Sequence, residues 1–393
     1  MPVRDDPEAW QQLRALVDRI AVLDPVARDA VIRGACGEDE EVEEEMRNLL
    51  AAYDELSTHA PEAVDSIFEP IDLDAPRPEN ARTHVGEFRL AEPIGNGPRG
   101  TVYRAERLGG EGVPVVALKL LHRVSLDDSG SRAFDAERDK CGRLRHDHIA
   151  PLLATGRTRD GTPWQACQLL DAMPITGWCA QRASPLAERL ALFVQVCAAI
   201  RVAHAQFIAH HNIKPSNVVV TRDGSVRVLD FDLGVPLPMI DGVLPDDLPA
   251  WPAHAAPEQV RGEATSIACD VYQLGALLYE LLCGRTILRD TDISGAEVEA
   301  AILNRVPVRP SEIASSANDD AVKRSGFASA TAWSKGLRGN LDAIVLHALR
   351  KETAARYDSV AHLLEDVQRH LRGERPLATE GERRGWRDWF RRA

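Results

Sequence analysis

Apolar positions recur at helical spacing in the first part of the chain. One such stripe consists of Trp10, Leu13, Val17 and Ile20. A further helix is predicted around residues 42–53, and residues 58–85 then carry four prolines and no sustained period, which is typical of a linker. The pattern therefore predicts a small N-terminal helical module over residues 1–57, followed by a linker over residues 58–85.

After residue 85 the pattern changes to short apolar-rich runs. GEFRLAEPIG, GTVYRAERL and VPVVALKLL are predicted strands, and the first two flank a glycine cluster. From about Gln168 onward the periodicity is mostly helical. The helices predicted there span residues 186–206, 269–283, 294–304, 341–349 and 359–371. One helix is predicted before this part, over residues 131–144. A strand-rich piece followed by a larger helical piece predicts an α+β fold with two lobes and a cleft between them.

Composition and charge narrow the class of protein. Apolar residues make up 44% and charged residues 27% of the 393, the balance of a soluble globular chain. The net charge is −13, yet residues 1–80 hold 21 acidic and 7 basic residues, so the remainder is nearly neutral. We therefore expect no nucleic-acid partner, because a general basic face is absent. The acidic run at residues 38–45 fits either a solvated helix start or a docking surface for a basic partner.

The cellular compartment is predicted from what the sequence lacks. No run approaches the roughly 18 apolar residues that cross a bilayer, and the first residues have no secretory apolar segment. The seven cysteines form no CxxC pair, which fits reduced thiols. We therefore expect a cytoplasmic protein.

A glycine-rich segment between two predicted strands is the first candidate for chemistry. Residues 94–102 read IGNGPRGTV, which places Gly95, Gly97 and Gly100 in a G-x-G-x-x-G pattern. Glycines allow the backbone to approach phosphates closely and to adopt the left-handed conformations of a tight turn. Strands on both sides favour a lid over nucleotide phosphates, because a dinucleotide site needs a strand followed by a helix.

Further motifs follow the glycines in a fixed order. They are V-A-L-K at residues 116–119, Glu137, H-H-N-I-K-P-S-N at residues 210–217, D-F-D at residues 230–232 and A-P-E at residues 256–258. Together they resemble the eukaryotic-type (Hanks-type) serine/threonine protein kinases of bacteria, in a degenerate form, over about residues 86–375. The resemblance implies the two-lobed protein-kinase fold. It also implies that Asp270 anchors the catalytic loop and that Arg356 pairs with Glu258.

The resemblance implies an intact nucleotide half. Lys119 would hold the α- and β-phosphates of ATP, while Glu137 would fix its ammonium group. Asn217 and Asp230 would be ligands of Mg²⁺, since they carry hard oxygen atoms. The other implied nucleotide contacts are Ile94, Gly95, Gly97, Gly100, Val102, Ala117, Gln168, Leu170 and Val219. The plainer alternatives are a strand-edge lysine at position 119 and a solvated helix residue at position 137.

The same resemblance implies a damaged transfer half. Asn212 stands where the family has the aspartate that accepts the proton of the substrate hydroxyl, and loss of a general base typically costs about 10²–10⁴ in rate. Asp232 replaces the glycine of D-F-G and adds a negative charge. His211 replaces an arginine that receives an activation-loop phosphate, and residues 232–256 contain no Ser, Thr or Tyr. Lys214 is kept and can still neutralise charge.

The end of the chain, residues 376–393, is predicted to be a basic aromatic tail. Residues 382–392 carry five arginines against two acids, interleaved with two tryptophans and a phenylalanine. Such a segment is either a disordered basic end or one that contacts an anionic membrane surface or a partner.

Three hypotheses about function follow. The leading one is a cytoplasmic pseudokinase that binds ATP, with Mg²⁺ as a candidate cofactor, and that signals by changing shape or by holding an unknown protein partner. The second is an active or weakly active serine/threonine kinase in which Asp232 or His211 replaces the base. The third is a nucleotide-free scaffold, which Pro98, Arg99 and Asp232 favour because they crowd the phosphate lid.

Overall fold

The computed structural model of the chain divides into two compact units, Met1–Val85 and Gly86–Ala393. It describes residues 84–97, 100–108, 115–121, 138, 140–159, 161–231, 253–288 and 295–378. The predicted N-terminal helices, the linker up to residue 83 and the tail beyond residue 378 lie outside the described residues. So do Glu137, Asp232, Pro98 and Arg99.

Antiparallel strands dominate the first part of the second unit. The strands are β2 (Phe88–Gly97), β3 (Gly100–Arg107), β4 (Val115–Leu121), β5 (Leu152–Arg157) and β6 (Pro163–Gln168). The two-residue strand β1 (His84–Val85) belongs to the first unit. From β2 onward their spatial order is β2-β3-β4-β6-β5. The three strands predicted around the glycine cluster are therefore confirmed, and the register places Lys119 of β4 opposite Gln165 of β6.

Close packing inside this sheet requires glycine at one position of the turn. Gly100 has φ +148°, and a Cβ built there would lie 2.3 Å from the carbonyl oxygen of Leu120. No side chain fits at that distance, so only glycine allows the start of β3 to lie this close to the backbone of β4. On β4, Val116 and Leu118 are buried on one face, which leaves Ala117 and Lys119 on the other.

Helices form most of the remaining structure, together with a second, small sheet. The helices are α1 (Ile175–Gln181), α2 (Leu186–His204), α3 (Pro257–Val260), α4 (Ile267–Cys283), α5 (Gly295–Asn304), α6 (Pro310–Ser315), α7 (Asp319–Ser325), α8 (Ala330–Leu337), α9 (Asn340–Ala348) and α10 (Val360–Leu371). The small sheet has the order β7 (Ala172–Pro174), β8 (Val218–Thr221) and β9 (Val226–Val228). Short 3₁₀ turns span Pro215–Asn217 and Thr353–Ala355. The predicted two-lobed α+β fold is thus present, with a sheet lobe and a helical lobe.

Helix α4 is the centre of the helical lobe. Every residue from Cys269 to Cys283 is buried, as expected of a helix that other elements surround on all sides. The Ser266 side chain accepts a hydrogen bond from the Ala268 N–H at its start, and Gly284 ends it in the left-handed conformation. Within the described ranges, no helix has both the length and the apolar character that crossing a membrane requires.

Several elements were absent from the sequence-based prediction: strands β5 and β6, helices α1 and α3, the small sheet, and helices α6 to α8. The strands of the small sheet are three or four residues long, too short to show a period. Helices α6, α7 and α8 occupy a stretch rich in Ser and Ala that gave no periodic pattern. They are held by tertiary contacts, since the buried Arg189 donates to the carbonyl of Arg324 at 2.6 Å and the Trp333 indole donates to the carbonyl of Leu282 at 3.0 Å.

A buried ion pair joins α3 to the segment before α10. Arg356 Nη1 and Nη2 each lie 2.7 Å from an oxygen of the Glu258 carboxylate. Both side chains are almost completely buried, and the guanidinium also donates to the carbonyls of Ala268, Arg350 and Lys351. The expected partnership of Arg356 with Glu258 is therefore confirmed.

We expect the variant Glu258→Gln to lower the free energy of unfolding by about 3–5 kcal/mol, because it leaves a buried guanidinium without its counter-charge. The matched control is Glu365→Gln, since Glu365 pairs with Arg372 at 2.9 Å on the surface. An exposed pair contributes at most about 1 kcal/mol. Urea denaturation of both variants checks this, and equal losses would contradict the assignment.

Candidate active site

An ion pair connects the sheet lobe to the segment that follows the small sheet. Lys119 of β4 contacts Asp230 Oδ2, and both side chains are largely buried. On the other carboxylate oxygen, Gln165 Nε2 donates to Asp230 Oδ1 at 3.0 Å. Asp230 therefore receives a donor from two neighbouring strands, one on each oxygen.

The backbone at Asp230 is held in an uncommon conformation. Its φ is +55°, a left-handed value that costs energy for a residue other than glycine. Its neighbours on both sides are fixed. The Leu229 N–H donates to the carbonyl of Asn217 at 2.8 Å, and the Phe231 ring packs on His210 at 4.5 Å between centroids. These contacts aim the carboxylate at Lys119.

Asn217 lies next to this segment at the end of the first 3₁₀ turn. It is buried, and its Nδ2 donates to the carbonyl of Asn212 at 2.8 Å. That bond uses the nitrogen of the amide, so Oδ1 is the atom that can coordinate a cation. Together with the Asp230 carboxylate it supplies the hard oxygen donors that Mg²⁺ prefers, so the two residues fit a magnesium ion chemically.

The carboxylate of Asp270 holds the loop of residues 210–213. It has no solvent exposure, and it accepts the N–H groups of His210 and His211 and the Nε2 of His204, each at 2.7 Å. Burial acts to raise the pKa of Asp270, but the hydrogen bond from His204 and the nearby histidine rings outweigh it, so the pKa lies below its usual range. His211 is thereby held at φ +58°.

Two glutamine side chains complete the support of this loop. Gln273 accepts the Ile213 N–H at 2.8 Å, and its Nε2 donates to the His211 carbonyl at 3.0 Å. Gln259 donates to the same carbonyl at 2.8 Å and accepts from Gln273 at 2.9 Å. The loop is thus tied to α3 and α4 by neutral amides.

His210 and His211 differ in how their rings are held. Burial lowers the pKa of His210, and the neutral ring donates from Nε2 to the Leu229 carbonyl at 2.9 Å while Nδ1 accepts the Asn212 N–H at 3.3 Å. The Nε2 of His211 is buried, and no hydrogen-bond partner for it lies within the part of the chain that the structure describes.

Comparison with known proteins identifies the family of the chain. Residues 88–367 match the protein kinase domain family, which is well over half of the chain. The chain belongs to the protein kinase family. Its kinase fold is similar to the crystal structure of the PknI kinase domain of Mycobacterium tuberculosis, with a TM-score of 0.52 and 22% identity over 72% of this chain and 96% of that one. At that identity the likeness concerns the fold alone.

Curated relatives share more of the sequence. The chain is 28% identical over 335 residues to the serine/threonine-protein kinase Pkn1 of Myxococcus xanthus, a match that covers 76% of this chain and 44% of that protein. It is 27% identical over 321 residues to the serine/threonine-protein kinase PknB of Mycobacterium tuberculosis, covering 77% and 46%. The chain therefore spans less than half the length of these two relatives.

The kinase fold brings part of the predicted nucleotide contacts together. Val102 pairs with Gly95 on one side and with Lys119 on the other, so the three lie side by side on adjacent strands. Ala117 is half-buried on β4, and Gly97 pairs with Gly100 at the turn. Ile94 directly precedes Gly95 on β2 and is 46% exposed, and Gln168 is exposed at the end of β6, opposite Val116. Leu170 is half-buried between β6 and β7, and Val219 is buried in β8.

Of the predicted catalytic positions, Asn212 and Lys214 lie on the loop that Asp270 holds, with Lys214 directly before the 3₁₀ turn. Cys167 lies close to Asp230 and Lys119, and burial together with the Asp230 charge raises the pKa of this thiol to about 12. It is therefore protonated at neutral pH and does not act as a nucleophile.

Three residues of this site were missed by the sequence analysis: Gln165, Gln259 and Gln273. Gln165 lies outside the motifs of the family, Gln259 directly follows A-P-E, and Gln273 lies three residues after Asp270 on the same helix. The spacing of Gln273 places it on the same face of α4 as Asp270. The contacts of Gln165 depend on strand register and those of Gln259 on helix packing, so the sequence did not indicate them.

We expect Gln273→Leu to lower the free energy of unfolding by about 1–3 kcal/mol, because it leaves the buried Ile213 N–H without its acceptor. Hydrogen exchange at the Ile213 amide should become faster, while exchange within α4 should change little. Gln206→Leu, at an exposed position after α2, is the control. An Ile213 amide that stays equally protected in Gln273→Leu would contradict this role.

Proposed function

We propose that this chain is a pseudokinase module that binds ATP and acts by holding a protein partner, with little or no phosphate transfer of its own. The observation that carries the proposal is a contrast within one site. Lys119 and Asp230 form a buried ion pair between the lobes, whereas Asn212 occupies the loop position of the catalytic base. The side chains proposed to bind the nucleotide are present, whereas the carboxylate that would accept the proton of the substrate hydroxyl is not.

Nucleotide binding is supported by the chemistry of the cleft. Lys119 supplies a positive charge for phosphate oxygens, and an ammonium group has three donors, so it can serve phosphate and carboxylate together. The turn at Gly100 also brings the backbone of the glycine-rich segment close to β4, the strand that carries Lys119. Ala117 and Val219 offer small apolar surfaces for a base. Asn217 and Asp230 would hold Mg²⁺, which neutralises phosphate charge when it is bound.

Phosphate transfer is disfavoured by the side chain at position 212. An asparagine amide has no oxygen basic enough to take the proton of an alcohol, and a missing general base costs about 10²–10⁴ in rate, or about 3–5 kcal/mol in barrier. The loop around Asn212 is nevertheless held at Asp270, Gln259 and Gln273. The fold thus preserves the shape of the loop without its base.

An active or weakly active serine/threonine kinase is the second candidate. It is favoured by the similarity of the chain to Pkn1 and PknB, which are serine/threonine-protein kinases. Positioning and electrostatic stabilisation supply most of the catalysis of phosphoryl transfer, so a residual rate without the aspartate is chemically reasonable. The binding of a protein partner is part of the proposed function. A contribution of residues 1–57 and 376–393 to that binding is part of it as well.

Lys119→Ala should abolish the thermal stabilisation of the full chain by ATP, because it removes the only charge proposed to meet the phosphates from β4. The measurement is the shift in melting temperature with ATP, with and without Mg²⁺. Lys323→Ala, at an exposed position on α7, is the control. An ATP shift that is equal in wild type and Lys119→Ala would contradict the proposed site, and no shift in any protein would favour the nucleotide-free scaffold.

Asn212→Asp should raise phosphate transfer from radiolabelled ATP to general protein substrates, from little or none to a measurable rate, because it restores a carboxylate at the base position. Asn304→Asp, at an exposed position on α5, is the control for added charge. If the wild-type chain transfers phosphate at an ordinary kinase rate, and Asp230→Ala abolishes that transfer, the pseudokinase proposal is wrong and the active kinase is correct.

A further inference from the structure

The side chain of Gln165 is a buried polar group that faces the ion pair of the site. It is 6% exposed, and its Nε2 donates to Asp230 Oδ1 at 3.0 Å. A carboxylate can only accept hydrogen bonds. The amide nitrogen of Gln165, and not the amide oxygen, is therefore the atom that points at Asp230.

The sheet register explains why Gln165 and Lys119 reach the same carboxylate. The two residues are direct partners on the antiparallel strands β4 and β6, so their side chains leave the sheet on one face. Lys119 donates a hydrogen bond to Oδ2 of Asp230, and Gln165 donates one to Oδ1. The lysine supplies the counter-charge, and the amide fixes the plane of the carboxylate.

A carboxylate held in this way is less available to a divalent cation. Mg²⁺ demands near-ideal octahedral geometry, and its ligands must turn their oxygens toward it. Asp230 already directs one oxygen to a cation and the other to an amide donor, and its backbone is fixed in a left-handed conformation. To coordinate a metal ion, the Asp230 carboxylate must weaken its contacts with Lys119 and Gln165, or share its oxygens between these donors and the ion.

We propose that Gln165 is a positioning residue that keeps Asp230 on Lys119 and thereby weakens the binding of a divalent cation at this site. For the nucleotide this inference rests on the proposed function. Since Lys119 has donors for phosphate as well as for Asp230, the chain then binds ATP with nearly the same affinity with and without Mg²⁺.

The decisive experiment measures the metal alone on the full chain. Mn²⁺, an ion that replaces Mg²⁺ and is visible by electron paramagnetic resonance, is titrated into nucleotide-free wild type, Gln165→Met and Gln206→Met. Methionine has a similar length to glutamine but no donor. Loss of one hydrogen bond to a charged group should tighten Mn²⁺ binding roughly tenfold in Gln165→Met, and the exposed control should be unchanged.

A second measurement follows the nucleotide. Isothermal titration with ATP, with and without Mg²⁺, gives the ratio of the two dissociation constants for each protein. We expect a ratio of at most about three for wild type, and a ratio roughly tenfold larger for Gln165→Met. A purely structural role of Gln165 would change stability in the melting curve but would leave this ratio unchanged.

The outcomes separate this inference from the proposed function. Equal Mn²⁺ affinity in folded wild type and Gln165→Met overturns the inference, even where ATP binds well. If no protein binds ATP under either condition, the proposed function fails while the Mn²⁺ titration still decides the role of Gln165. Should Gln165→Met fail to fold, Gln165→Leu takes its place, since it also removes the donor and adds no ligand for the cation. Unchanged Mn²⁺ affinity in that variant also overturns the inference.

Discussion

The buried carboxylate of Asp270 fixes the geometry on which the site depends. It binds two successive N–H groups of the loop at His210 and His211, and this forces the loop into its left-handed bend. Hydrogen bonds then connect this loop to the segment of Asp230. The Asn217 side chain donates to the Asn212 carbonyl, and the Asn217 carbonyl accepts the N–H of Leu229, the residue before Asp230. This anchor at the start of α4 therefore supports the segment that carries Asp230, together with the contacts of Leu229, Phe231 and Gln165.

Neutral amides carry out much of the positioning around this anchor. Gln259 and Gln273 bind the loop backbone, and Gln165 binds Asp230. An amide offers a donor and an acceptor without the desolvation cost of a buried charge. These contacts bind the backbone of the loop and do not involve the side chain at position 212.

Much of the architecture was predictable from the sequence. The three strands around the glycine cluster and the long helices α2 and α4 were predicted close to their observed bounds, and the order of the motifs indicated the kinase fold. The pairing of Glu258 with Arg356 followed from the same resemblance. The small sheet and helices α6 to α8 could not be predicted, because elements of three to eight residues lack a readable period and depend on contacts with Arg189 and Trp333.

The sequence by itself determined which chemical groups the site contains: a lysine, an aspartate and two asparagines at motif positions, with no carboxylate at position 212. Only the tertiary structure decided what those groups touch. Gln165 meets Asp230 because β4 and β6 pair in one register, and a slip by one residue would turn its side chain to the opposite face. A hydrogen bond acts over about 3 Å, so it depends on packing between segments that are 65 residues apart in the chain.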